Sequence, residues 1–148
     1  MIALVLFAFF AVCSARPFAN GTYDLVRVMD VDISSGDYTR NTTTWLGAHF
    51  VLQQQGSPVV GRPMNELPAT FSGLSPKLGS SAQGSVLYYE GLQKYATLSV
   101  IQEGNGRTLY CNGNFVPKTV LLQLNCLLVD FFSNHAIQAL YQLSPNKK

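Results

Sequence analysis

The stretch LSVIQEGNGRTLYC, residues 98–111, constrains the fold more than any other part of the chain. Asn105 and Gly106 form the pair that tolerates positive φ at both central positions of a type I′ turn, whose twist matches that of two antiparallel strands. A hairpin closing there sets Gln102 opposite Leu109 and Val100 opposite Cys111. Leu98, Val100, Leu109 and Cys111 then share one face, and Cys111 points into a core.

The same period of two runs through most of the chain. In GTYDLVRVMDVDI, residues 21–33, Tyr23, Leu25, Met29, Val31 and Ile33 oppose Asp24, Asp30 and Asp32, with Arg27 interrupting the apolar side. TWLGAHFVLQ sets Leu46, Ala48, Phe50 and Leu52 on one side, and AIQALYQL alternates Ile137, Ala139, Tyr141 and Leu143 with more polar neighbours. TVLLQLNCLLVDFF aligns Val120, Leu122, Leu124, Cys126 and Leu128 and breaks at Asp130. That Leu-rich run also fits a buried helix, because period alone separates buried strand from buried helix poorly. Half-buried antiparallel strands have this alternation. The pattern predicts an all-β chain, a single antiparallel β-sandwich or small β-barrel of about seven to nine strands.

Composition shifts in two places. MIALVLFAFF, followed by small residues, has the layout of a secretory signal peptide cut after Ala15. Residues 16–148 then form one domain, delivered to the secretory lumen or outside the cell. Cys13 leaves with the signal, so Cys111 and Cys126 remain, an even number suited to one disulfide in an oxidising compartment. Two sequons, NGT at Asn20 and NTT at Asn41, offer N-glycosylation sites. The second shift is QQQGSPVVGRPMNELPATFSGLSPKLGSSAQG, residues 53–84, with five glycines and four prolines. It reads either as one long binding loop or as ordinary connections between short strands near 59–60 and 69–71.

Several function classes are excluded as expectations. The net charge of +2 is spread along the chain, without the clustered basic face of a nucleic-acid binder. The apolar run at 119–132 is too short and too polar to cross a bilayer, so no stable membrane insertion is expected after signal cleavage. His49 and His135 lack metal partners at short spacing, and no GxSxG elbow or phosphate-binding loop occurs. Asp30, Asp32, Ser34 and Asp37 have oxygens at alternating positions, yet Ser35 stands where a calcium loop wants Gly and Asn41 where it wants Glu. A turn after a strand accounts for them. No catalytic residues, metal or cofactor are therefore predicted.

The opening NGTYDLVRV, residues 20–28, resembles the first strand of lipocalins and fatty-acid-binding proteins, with Tyr23 in the place of their Trp. That resemblance implies a barrel around an apolar ligand; on the strand pattern Tyr23, Leu25, Phe50, Leu98, Val100 and Tyr141 face inward, where they either line such a cavity or fill a core. Two functions follow as expectations. The first is a secreted, N-glycosylated β-sandwich interaction module that binds a protein, such as a receptor or immune factor, or a glycan, a format shared with host-defence and virus-encoded accessory proteins. The second is a carrier of a small apolar ligand. An enzyme is the least expected class, since no constellation unites residue type with proximity.

Overall fold

The structure, a computed structural model, describes residues 20–40, 45–59, 61–89, 95–115 and 120–145. The expected cut after Ala15 and the Asn41 sequon lie outside them. Among the described residues nine strands follow one another: β1 (Gly21–Asp32), β2 (Tyr38–Arg40), β3 (His49–Gln54), β4 (Met64–Ser72), β5 (Ser81–Tyr89), β6 (Tyr95–Gly104), β7 (Arg107–Phe115), β8 (Leu121–Val129) and β9 (His135–Leu143). From β3 to β9 each strand pairs antiparallel with the next. β1 closes the ring, pairing with β9 along one edge and with β2 and β3, placed end to end, along the other. Of the two expected forms the chain therefore takes the barrel; the β1–β9 pairing leaves no second sheet for a sandwich. Helix is absent among the described residues, and within the run at 119–132 Leu121–Val129 is strand.

Local chemistry explains much of this. Asn105 and Gly106 adopt φ of 54° and 73° and join β6 to β7 with Gln102 opposite Leu109 and Val100 opposite Cys111, the expected register. Cys111 and Cys126 are direct cross-strand partners, face inward and are joined as a disulfide. Inside the barrel Tyr23 stacks on Phe50 at 5.2 Å, and Phe50 meets Tyr141 edge-on at 4.8 Å. Such aromatic pairs add to burial, which alone contributes about 1.5–3 kcal/mol for a ring like Phe50.

Two expectations are corrected. The alternation along β1 does not persist, because a bulge between Leu25 and Arg27 inserts one residue and reverses every later side chain. Val28 and Asp30 turn inward and are buried, while Ile33 is exposed. The segment 53–84 is not one long loop: it carries the end of β3, all of β4 and the start of β5. Pro68 is tolerated inside β4 because its carbonyl accepts Gln55 N (2.7 Å), which turns its ring nitrogen toward the β3 side, just past the last pair, Gln54 with Ala69.

Candidate functional site: barrel mouth and outer wall

The connections 33–37, 45–48, 73–80, 105–106 and 130–134 gather at one end of the barrel, where β1 finishes and β9 begins. They close that end. The 45–48 segment crosses it, with Gly47 N donating to Leu74 O (2.8 Å) and Gly47 O accepting the Tyr141 hydroxyl (2.8 Å). A side chain at Gly47 would meet Gly73 O at 2.2 Å, so the crossing needs glycine. The 73–80 loop is held from below by Gln102, which is 2% exposed and whose Nε2 donates to Ser75 O (3.0 Å) and Gly79 O (3.1 Å). Asn105 Nδ2 adds a bond to Lys77 O (2.7 Å).

Polar side chains converge at this mouth. Trp45, the chain's single tryptophan, has Lys77 Nζ 5.2 Å and Arg107 Cζ 5.0 Å from its ring centre, and the His135 ring lies 5.7 Å away. The bulge in β1 brings Asp30 to His135, Oδ1 to Nδ1 at 2.7 Å, and His135 Nε2 lies 3.3 Å from Ser133 Oγ. Carboxylate, imidazole and hydroxyl thus stand in the order used by nucleophilic catalysts, which additionally need donors aimed at a developing oxyanion. Nearby groups are otherwise engaged: Asp130 N donates to Asn134 Oδ1, and Asn134 O accepts Ile33 N. The arrangement fits a hydrogen-bonded brace between β1 and β9.

Beside it, Arg107 Nε bonds Asp130 Oδ2 at 2.8 Å. That hydrogen bond holds the Asp130 carboxyl below the usual carboxylate range, with further help from the backbone amides of Phe131 and Phe132 and from the guanidinium charge, against a smaller desolvation effect. The turn so fixed presents Phe131 and Phe132, 93% and 92% exposed, at its tip.

The outer wall differs from an ordinary wetted sheet. Among the described outward residues of β5 to β9, Glu103 carries the one charge. Ile101, Tyr110 and Leu127 are successive cross-strand partners, with Val129 next along β8, and all four are between 39% and 50% exposed. Beside this apolar row runs a polar one, Ser85, Ser99, Asn112, Asn125 and Gln138 in register across β5 to β9. Short side chains there, with Thr97 and Asn114 on the next row, leave a trough of ≈ 350 Å³ bounded at β4 by Glu66.

The residues expected to line an apolar cavity do face inward. Tyr23, Phe50, Leu98, Val100 and Tyr141 are buried and Leu25 is packed against them, but they contribute to a core of side chains in mutual contact. Asn20 is exposed beside the barrel's other end, and its Oδ1 accepts Gln54 N at 2.7 Å. His49 is exposed, whereas the histidine beside Trp45 is His135. Of the acidic cluster, Asp30 pairs with His135, and Asp32 Oδ1 accepts Ser34 N at 2.8 Å to cap its own turn. Among the described residues no group of three or more His, Cys, Asp or Glu is placed to hold a metal ion. Sequence reading missed the mouth cluster and the wall; at the mouth a local signal was the Phe131–Phe132 pair following Asp130, two large apolar residues where a turn calls for small or polar ones.

Fold and surface define a closed antiparallel β-barrel with a packed interior and a charge-poor outer wall. Set against protein-family models, curated proteins and solved structures, the chain matches none.

Proposed function

We propose that the protein is a secreted, N-glycosylated interaction module that uses the outer wall of β5 to β9 as its contact surface. The observation that carries this reading is the near absence of charge among the described residues of that wall, joined to the exposed row Ile101, Tyr110, Leu127 and Val129. Water-facing surfaces generally carry many charges of both signs, and depletion of charge around exposed aromatic and aliphatic groups marks the centre of a binding interface. The barrel supplies a rigid frame, so little conformational freedom is lost on contact. The packed interior favours this reading over the carrier, whose ligand would need the space that the rings of Tyr23, Phe50 and Tyr141 occupy.

The test compares the secreted protein with a Tyr110→Lys/Leu127→Lys variant on arrays of extracellular domains and glycans. Both positions face outward, so the variant should keep its melting temperature and lose at least tenfold in affinity for whatever partner the unmodified chain binds. Unchanged binding by the variant refutes the wall as the surface. A small apolar molecule that accompanies the native protein in mass spectrometry and leaves on denaturation would establish the carrier instead.

A further inference from the structure

We infer that the trough on the outer wall is a site for a neutral oligosaccharide. This deepens the proposed function and rests on its reading of the wall as a contact surface. The groups on offer are the hydroxyls of Ser85, Thr97 and Ser99, the carboxamides of Asn112 and Asn114, and the Glu66 carboxylate. Hydroxyls and carboxamides both donate and accept hydrogen bonds, as sugar hydroxyls do, so a polyol can satisfy them in many pairings. Glu66 is acceptor-only and already takes the Ser85 hydroxyl at 2.9 Å, which fixes its orientation toward the trough.

Charge narrows the ligand class. Among the described residues no Lys or Arg lines the trough and Glu66 is its one charged group, so a phosphate, sulfate or sialylated group would face that carboxylate. Leu87, Leu98 and Gly113 complete the lining and can meet the C–H faces of a sugar, whereas a wholly apolar ligand would leave the polar groups beside them unpaired, at about 1–3 kcal/mol for each one buried. Shape narrows it further. The polar row continues past the trough through Asn125 and Gln138, whose amides are themselves bonded at 3.2 Å, and so crosses five strands, Ser85 to Gln138. At strand spacings of about 4.8 Å that row follows the barrel's curve over an arc of roughly 19 Å. An extended, unbranched chain suits it better than a single compact molecule. Tyr110 stands directly along β7 from Asn112, half-exposed, and its ring face can take the C–H side of a pyranose.

The experiment is a heteronuclear NMR titration of the whole secreted protein with four neutral tetrasaccharides in turn: cellotetraose, maltotetraose, chitotetraose and mannotetraose. At least one should shift the side-chain amide signals of Asn112 and Asn114 in a saturable way. Asn112→Ala/Asn114→Ala should then weaken binding at least tenfold, Tyr110→Phe should preserve it, and the outward positions should leave the backbone spectrum folded. Silence of all four sugars at about 10 mM, a usual ceiling for weak binding, overturns the inference. So does binding that the double Asn variant leaves intact. If the sugars are silent while Tyr110→Lys/Leu127→Lys still abolishes binding to an arrayed protein, the wall stands as an interaction surface and the saccharide site falls. If Tyr110→Lys/Leu127→Lys also leaves every interaction unchanged, both fall.

Discussion

Gln102 is the buried polar group on which the closed mouth depends. Its Nε2 serves two carbonyls, Ser75 O and Gly79 O, and its Oε1 is buried without a partner. Both neighbours are acceptors, so the amide must present nitrogen to them. Gln102→Leu keeps the bulk and removes the donor. The Ser75 carbonyl, left unpaired away from water, costs about 1–3 kcal/mol, whereas Gly79 lies on the exposed part of the loop where water can replace the lost donor, for a net loss of about 1–3 kcal/mol. In a chain of this size that is a drop of roughly 5 °C in Tm. Gln102→Glu turns the same contact repulsive, setting a carboxylate oxygen against two carbonyl oxygens. Folding then favours its protonated form, raising the folded pKa above the ordinary Glu value of about 4.3. The sign follows: between the unfolded and the raised folded pKa the native state holds more protons, so stability falls as pH rises through that window. The Glu variant should be less destabilised at pH 4 than at pH 7, relative to the unmodified protein at each pH. Urea unfolding followed by Trp45 fluorescence reads the mouth, and far-UV circular dichroism reads the sheet. A Leu variant within about 0.5 kcal/mol of the parent, or a Glu variant more destabilised at pH 4 than at pH 7, would refute the reasoning.

Further outcomes are expected. Joint replacement Cys111→Ser/Cys126→Ser should lower stability by about 3 kcal/mol, the chain-entropy value for a closed loop of this length, and intact mass should show the parent lighter by two hydrogens than its reduced form; equal stability would mean that the bridge constrains nothing. Burial pushes the Tyr88 phenol up to about 12, against the lowering effect of its hydrogen bond to Gln54, and raises Tyr23 and Tyr141 further. Native stability should therefore fall as pH climbs from 10 toward 12, and ultraviolet titration should show these phenols ionising after the exposed tyrosines; ordinary ionisation of all tyrosines near pH 10 would contradict the packed interior. A fluorophosphonate should leave Ser133 unmodified. A covalent adduct at Ser133, lost in His135→Gln, would reveal a working nucleophile instead.

What the sequence disclosed depends on whether the signal is local. The β6–β7 hairpin was legible because Asn105 and Gly106 dictate both turn and register, and that register alone sends Cys111 inward to meet Cys126. The β1 bulge was not legible: an extra residue such as Val26 needs no special chemistry, yet it reverses Val28, Asp30 and Ile33. Asp30 therefore read as wetted when it is buried against His135, a partner 105 residues away. β4 was obscured by Pro68, whose tolerance depends on where β3 stops pairing. The outer wall lay in plain sight as the residues between core positions. Its continuity emerges only when the registers of separate strand pairs are laid side by side, which sets Ser99 next to Asn112 and Tyr110 next to Leu127.

Ring closure by β1 and β9 has a consequence for how the molecule comes into being. Asp32 and His135 are partners across that seam, so about a hundred residues must be added after β1 before its second edge can be covered. At ordinary synthesis rates this takes about 5–20 s. Throughout that interval Tyr23, Leu25 and Val28 belong to an open strand edge of the kind that recruits foreign strands. The finished ring offers no such edge at the seam, so the hazard of misassembly falls in the newborn chain, and a chaperone acting on it has its task defined by the wait for β9.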